Sequence, residues 1–159
     1  MKRKQMLIFS SVALVLIGGY VILNWQNWIG KDKPQIQLDQ NAEDWEGNRN
    51  VASESNTISI PGYEKVILKA GTRQQNVNFH NPEVNTAYFR MSLWLPDGTK
   101  IWQSDLIEPS KGIYNITLNQ TLFAGEYENA ILKYQCFAMD DNLTPLNGSD
   151  IKLTLQVIE

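Results

Sequence analysis

Residues 86–95 read TAYFRMSLWL and alternate without a break. Ala87, Phe89, Met91, Leu93 and Leu95 share one face, and Thr86, Tyr88, Arg90, Ser92 and Trp94 share the other. Period two over this length predicts a strand with one buried face. Pro96-Asp97-Gly98 follows. Proline fixes φ and glycine accepts positive φ, so these residues predict a turn, and Lys100 to Asp105 the return strand of a hairpin.

The same period recurs outward from this hairpin. Val66, Leu68 and Ala70 alternate with Lys65, Ile67 and Lys69; Val77 and Phe79 alternate with Asn76, Asn78 and His80. Tyr114, Ile116 and Leu118 form a third set, and Ala130 to Ala138 and Ile151 to Val157 two more. Pro61-Gly62, Gly71, Asn81-Pro82, Pro109, Gly125 and the stretch from Pro145 to Gly148 separate the runs. Seven or eight short strands, about 8–15 residues apart and with no helix between them, predict an all-β antiparallel sandwich over residues 56–159. The strand number suits the immunoglobulin-like form. Tyr134-Gln135-Cys136 echoes the Tyr-x-Cys of that fold's sixth strand.

The N-terminal region has a different character. Lys2, Arg3 and Lys4 form a basic tip within residues 1–5, and no charge occurs from Met6 to Leu23. About 20 helical residues cross the roughly 30 Å hydrocarbon core. Residues 6–28 therefore read as one transmembrane signal-anchor helix, with Trp25 and Trp28 at the far membrane–water boundary. The basic tip predicts a cytoplasmic N-terminus and an extracellular C-terminal domain. A cleaved secretory signal is the competing reading; large residues and no A-x-A-like site at the far end argue against it. Residues 29–55 are rich in Gln, Asn, Asp, Glu and Ser and show no period. They read as a polar stalk with a reach of roughly 30 Å. Trp45 interrupts it, either packed on the domain or exposed for recognition.

Charge and composition narrow the chemistry. The net charge is −3; without the three cations of the tip, 11 basic and 17 acidic residues remain, a net of −6. No run of basic residues marks the domain, so nucleic acid is not an expected partner. The single cysteine, Cys136, forms no intramolecular disulfide, and with the single histidine, His80, it is too few for a zinc site. Cys136 falls on the apolar face of its run and reads as a small buried hydrophobe. His80 precedes a turn and reads as a surface histidine. Asp140, Asp141, Asn142, Asn147 and Asp150 could offer oxygens to calcium, but their spacing does not meet the EF-hand pattern. Glu126 and Glu128 are a weak carboxylate pair on one strand, and no G-x-G-x-x-G, P-loop or G-x-S-x-G occurs. No catalytic residue, cofactor or metal ligand is expected. Tyr88, Trp94 and Trp102, placed on an outward face of the central hairpin, are the candidate contact patch.

The segments Ile60-Pro61-Gly62-Tyr63, Asn78-Phe79-His80-Asn81-Pro82, Leu106-Ile107-Glu108-Pro109, Ala124-Gly125-Glu126-Tyr127 and Leu146-Asn147-Gly148 carry a resemblance. The chain resembles a group of small, uncharacterised Gram-positive surface proteins built from a membrane segment, a polar stalk and one β-sandwich. The resemblance implies a membrane-tethered binding or assembly module without catalytic activity, with a protein or cell-wall partner, in a cell-surface or DNA-transfer apparatus. A cell-wall enzyme acting on carbohydrate or peptidoglycan, or an accessory to one, is the alternative.

Overall fold

The computed structural model describes residues 34–47 and 57–159. The basic tip, the 6–28 segment with Trp25 and Trp28, residues 29–33 and 48–55 of the expected stalk and residue 56 lie outside the described residues. No helix among the described residues is long and apolar enough to cross a membrane.

Ile36–Glu159 forms one all-β unit of two sheets. Its strands are β1 (Ala42–Asp44), β2 (Lys65–Lys69), β3 (Gln74–His80), β4 (Ala87–Trp94), β5 (Lys100–Gln103), β6 (Lys111–Thr117), β7 (Gly125–Ala138) and β8 (Pro145–Ile158). The three-stranded sheet has the order β1-β6-β3, and the five-stranded sheet β2-β8-β7-β4-β5. Only the β4–β5 and β7–β8 hairpins keep consecutive strands in one sheet; every other connection crosses between sheets. Both inner faces feed one core. Phe79, Ile113 and Ile116 come from the smaller sheet, and Leu68, Phe89, Met91, Leu93, Leu132, Tyr134, Leu155 and Val157 from the larger. Fully burying a side chain of this size contributes roughly 1.5–3 kcal/mol relative to exposure, so the alternating apolar sets hold the two sheets together.

Three features differ from the sequence expectations. First, the sandwich is not purely antiparallel: β2 runs parallel to β8, with Lys65 opposite Thr154 and Lys69 opposite Ile158. A one-sided strand alternates identically in either direction, so the pattern carries no direction. Second, β7 and β8 are each 14 residues long. Pro145 to Gly148, expected to break the chain, lies inside β8. A register shift between Tyr134 and Cys136 accommodates it, and a Cβ on Gly148 would overlap the Tyr134 carbonyl oxygen.

Third, residues 36–47 are a strap on the domain, although their composition placed them in a flexible stalk. Asp39 N–H donates to Leu106 O (2.8 Å), Leu106 N–H to Gln37 O (3.0 Å), and Asp105 N–H to the Asp39 carboxylate (2.9 Å). β1 then pairs with β6, and Lys111 Nζ meets Asp44 Oδ1 at 2.7 Å. A three-residue strand, Ala42, Glu43 and Asp44, pairs at the sheet edge through its backbone and is too short to show an apolar period, so it leaves no mark in the hydropathy.

A buried amide cluster fixes the passage from β3 to β4. Asn81 is fully buried and donates through Nδ2 to Ala87 O and Ile107 O, both at 2.9 Å. Its Oδ1 accepts from Asn85 Nδ2 (2.8 Å), while the Asn85 side chain brackets both backbone groups of Ser59.

Candidate functional site

The three aromatics expected to share a patch are separated by the fold. Tyr88 is buried under Leu106, Leu143 and Phe137, which cover the upper end of β4's outer face. Trp102 is 7% exposed and points into the core, its ring 5.7 Å from Phe79. The cause is a register shift in the hairpin: Leu93 pairs with Trp102, but Trp94 pairs with Lys100. One extra residue turns a side chain to the opposite face, so Trp102 joins Leu93 inside. Of the three, Trp94 alone remains on the open outer face, partly buried, its indole N–H donating to Ser92 Oγ at 2.8 Å.

Around Trp94 the five-stranded sheet collects positive charge. Lys100 Nζ and Lys133 Nζ each lie 5.7 Å from the Trp94 ring centroid, within cation–π range. Lys100 also donates to Gln103 Oε1 (2.7 Å), and Lys133 reaches Asp150 at 3.3 Å. Arg90 lies over the Phe137 ring at 5.3 Å, and its buried Nε has no hydrogen-bond partner. The registers put Lys152 opposite Ile131, which itself faces Trp94. Lys65 and Lys69 project from the same outer face, because Val66 and Leu68 between them are buried. Six of the eight Lys and Arg residues among the described residues therefore share one sheet face. Asp150 and Glu126 also lie there. The sequence reading missed this face because the cations are dispersed over five strands and form no run. The signal that could have found it is parity: Lys65, Arg90, Lys133 and Lys152 each neighbour a core residue in sequence.

The smaller sheet presents the opposite character. The Trp45 ring stacks on His80 (centroids 3.9 Å apart, planes 8° apart), and its Nε1 donates to Asn78 Oδ1 at 3.3 Å. A Cβ on Gly47 would overlap the Trp45 ring, so the indole is held between His80 and the Gly47 backbone. Trp45 is thus packed on the domain and offers no free face for stacking. Tyr63 Oη donates to Asn78 O (2.8 Å) and lies 3.3 Å from His80 Nδ1. Burial lowers the His80 pKa below the ordinary imidazole value and pushes the Tyr63 phenol up to about 12. An open depression of about 480 Å³ beside this clasp is lined by Glu43, Asp44, Glu46, Asn78, Tyr114 and Asn115 among others.

Cys136 is buried on the apolar face of β7, and burial pushes its thiol up to about 11. The Asp140 carboxylate closes its own turn: it accepts from Thr144 Oγ1 (2.7 Å) and from the N–H groups of Asn142 and Thr144 (both 3.1 Å). Those bonds, led by the Thr144 hydroxyl, hold its pKa below the usual carboxylate range. Among the described residues no three His, Cys, Asp or Glu side chains group as metal ligands. Compared with family models, with curated proteins and with solved structures, the chain finds no match.

Proposed function

We propose that this chain is a non-enzymatic binding module, tethered to a cell membrane by residues 6–28, whose outer domain engages an extracellular partner through the open face of its five-stranded sheet. The observation that carries the reading is Trp94: a partly buried indole at the outer face, oriented by Ser92, with two ammonium groups beside its ring. Large aromatics held in place at a solvent-facing surface supply contact area at low entropic cost, which is the pattern of a binding anchor. The resemblance to tethered Gram-positive surface proteins supports the same placement.

The strand order favours the immunoglobulin-like form of the sandwich. β5-β4-β7-β8 follows the C′-C-F-G order of that fold, and β3 and β6 take the places of B and E. β1 stands where strand D would pair with E, and Tyr134-Gln135-Cys136 falls in the F position.

Co-sedimentation of the full chain, in detergent, with isolated cell envelopes tests the function. Retention that falls at least fivefold on Trp94→Ala, with an unchanged circular dichroism spectrum, supports it. Retention indifferent to Trp94 refutes the binding face. Release of soluble sugar or peptide fragments from the envelopes refutes the non-enzymatic reading in favour of a wall enzyme.

A further inference from the structure

Resting on that binding face, we infer that its ligand is an anionic glycan: a linear polymer whose sugar rings stack on Trp94 and whose phosphate or carboxylate groups meet the surrounding cations. The first support is charge segregation. The domain's acidic balance conceals two unlike surfaces. Asp39, Glu43, Asp44, Glu46, Asp105 and Glu108 lie on the strap or in the segment between β5 and β6 that it contacts. The cations gather on the outer face of the opposite sheet with two acids, Glu126 and Asp150, and Asp150 meets Lys133 across a pair whose side chains are 40% and 51% exposed. Exposed pairs are weak, so an incoming anion can take over Lys133.

The second support is spacing. The register sets Lys100, Trp94, Ile131 and Lys152 in one row across β5, β4, β7 and β8. Three strand steps of about 4.8 Å place the ends of that row roughly 14 Å apart with the indole between them. A single small anion cannot meet both ends; a chain of repeating charges can. The third support is the ring itself. A ligand unit that covers Trp94 has its substituents beside the Lys100 and Lys133 ammoniums. Single-stranded nucleic acid favours a succession of aromatic platforms. Here Tyr88 and Trp102 are buried and leave one ring at the centre of the cations.

The test measures binding of the full chain in detergent to four probes: alginate (rings and carboxylates), long-chain polyphosphate (charge without rings), uncharged dextran (rings without charge) and a short DNA duplex. Alginate is expected to bind tightest, weakening at least tenfold between about 50 and 200 mM salt as the entropy gained on counterion release falls. Trp94→Ala is expected to weaken alginate at least fivefold and to leave polyphosphate within twofold. The Lys100→Ala/Lys152→Ala pair is expected to weaken both and to lower the salt slope by about 2. Urea midpoints of the variants, equal to the parent's, show that the fold is kept. Dextran binding as well as alginate, salt-indifferent binding, or duplex DNA matching alginate overturns the proposal. If no probe binds while Trp94→Ala still abolishes envelope retention, the glycan class falls and the binding face stands.

Discussion

Replacing Asn81 by Leu tests whether the buried amide cluster holds the two sheets in register. The side chains are similar in volume, so the change removes polarity without opening a large cavity. It removes three hydrogen bonds, from the carbonyls of Ala87 and Ile107 and from one amide hydrogen of Asn85; Ile107 O keeps the Phe89 N–H (3.0 Å). Each buried group left without a partner costs about 1–3 kcal/mol. Second lone pairs and relaxation soften the two carbonyl losses, so the expected total is about 3–5 kcal/mol. A domain of this size is stable by about 5–15 kcal/mol, so the loss is about a fifth or more of the whole. Urea unfolding followed by both tryptophan fluorescence and far-ultraviolet circular dichroism measures it. With a slope of about 1–3 kcal/mol per molar, the midpoint should fall by roughly 2 M. Asn78→Ala is the control, since it removes only the exposed 3.3 Å bond to the Trp45 indole, and should cost under about 1 kcal/mol. A double-mutant cycle of Asn81→Ala and Asn85→Ala should show a coupling of about 1 kcal/mol through the bond they share. A loss below 1 kcal/mol for Asn81→Leu, or no coupling, would refute the account of the cluster as a structural clamp.

Three further outcomes follow from the clasp and the core. Gly47→Ala places a methyl where the Trp45 ring lies, so the strap should lift; protease cleavage between residues 36 and 47 should accelerate, while the urea midpoint of the sheets moves little. His80 titrates below its ordinary value because burial disfavours the cation, so the unfolded chain takes up the proton first. Stability present above the ordinary imidazole pKa should decline as pH falls through it and level out below the folded pKa; a His80→Phe variant, which keeps a ring under Trp45, should show no such step. Cys136, with its thiol at about 11, should be about one part in a thousand thiolate at pH 8 and resist thiol reagents until urea unfolds the chain.

The larger sheet was legible because its strands each have one wet and one dry face. The set Ala87, Phe89, Met91, Leu93 and Leu95 is buried as its alternation requires, and Val66 and Leu68 follow the same rule. What alternation cannot carry is direction, register and pairing through the backbone. The parallel run of β2 along β8, the register shift that turned Trp102 inward and the three-residue strand β1 each belong to those silent categories. Trp45 is an instructive exception: one aromatic in a polar stretch marked the place where the strap is fastened, by its stack on His80.

The same parity that made the core legible also orders the charge, and this bears on how a mildly acidic domain would meet the proposed polyanion. A strand that hides Leu132 must display Lys133, and one that hides Leu153 must display Lys152. Once five such strands lie side by side, residues nearly ninety positions apart in sequence stand in one field; Lys65 and Lys152 do so through the β2–β8 pairing. Net charge, being a sum, is blind to that arrangement, whereas an approaching polyanion responds to the local field within a screening length of about 8–10 Å. An acidic strap on one sheet and a cationic, tryptophan-centred face on the other would therefore orient the domain as it approaches a polyanion, the five-stranded sheet turned toward it. Raising the salt should erase that orientation before it disturbs the fold, since the core that sets the parity is apolar and nearly indifferent to ionic strength.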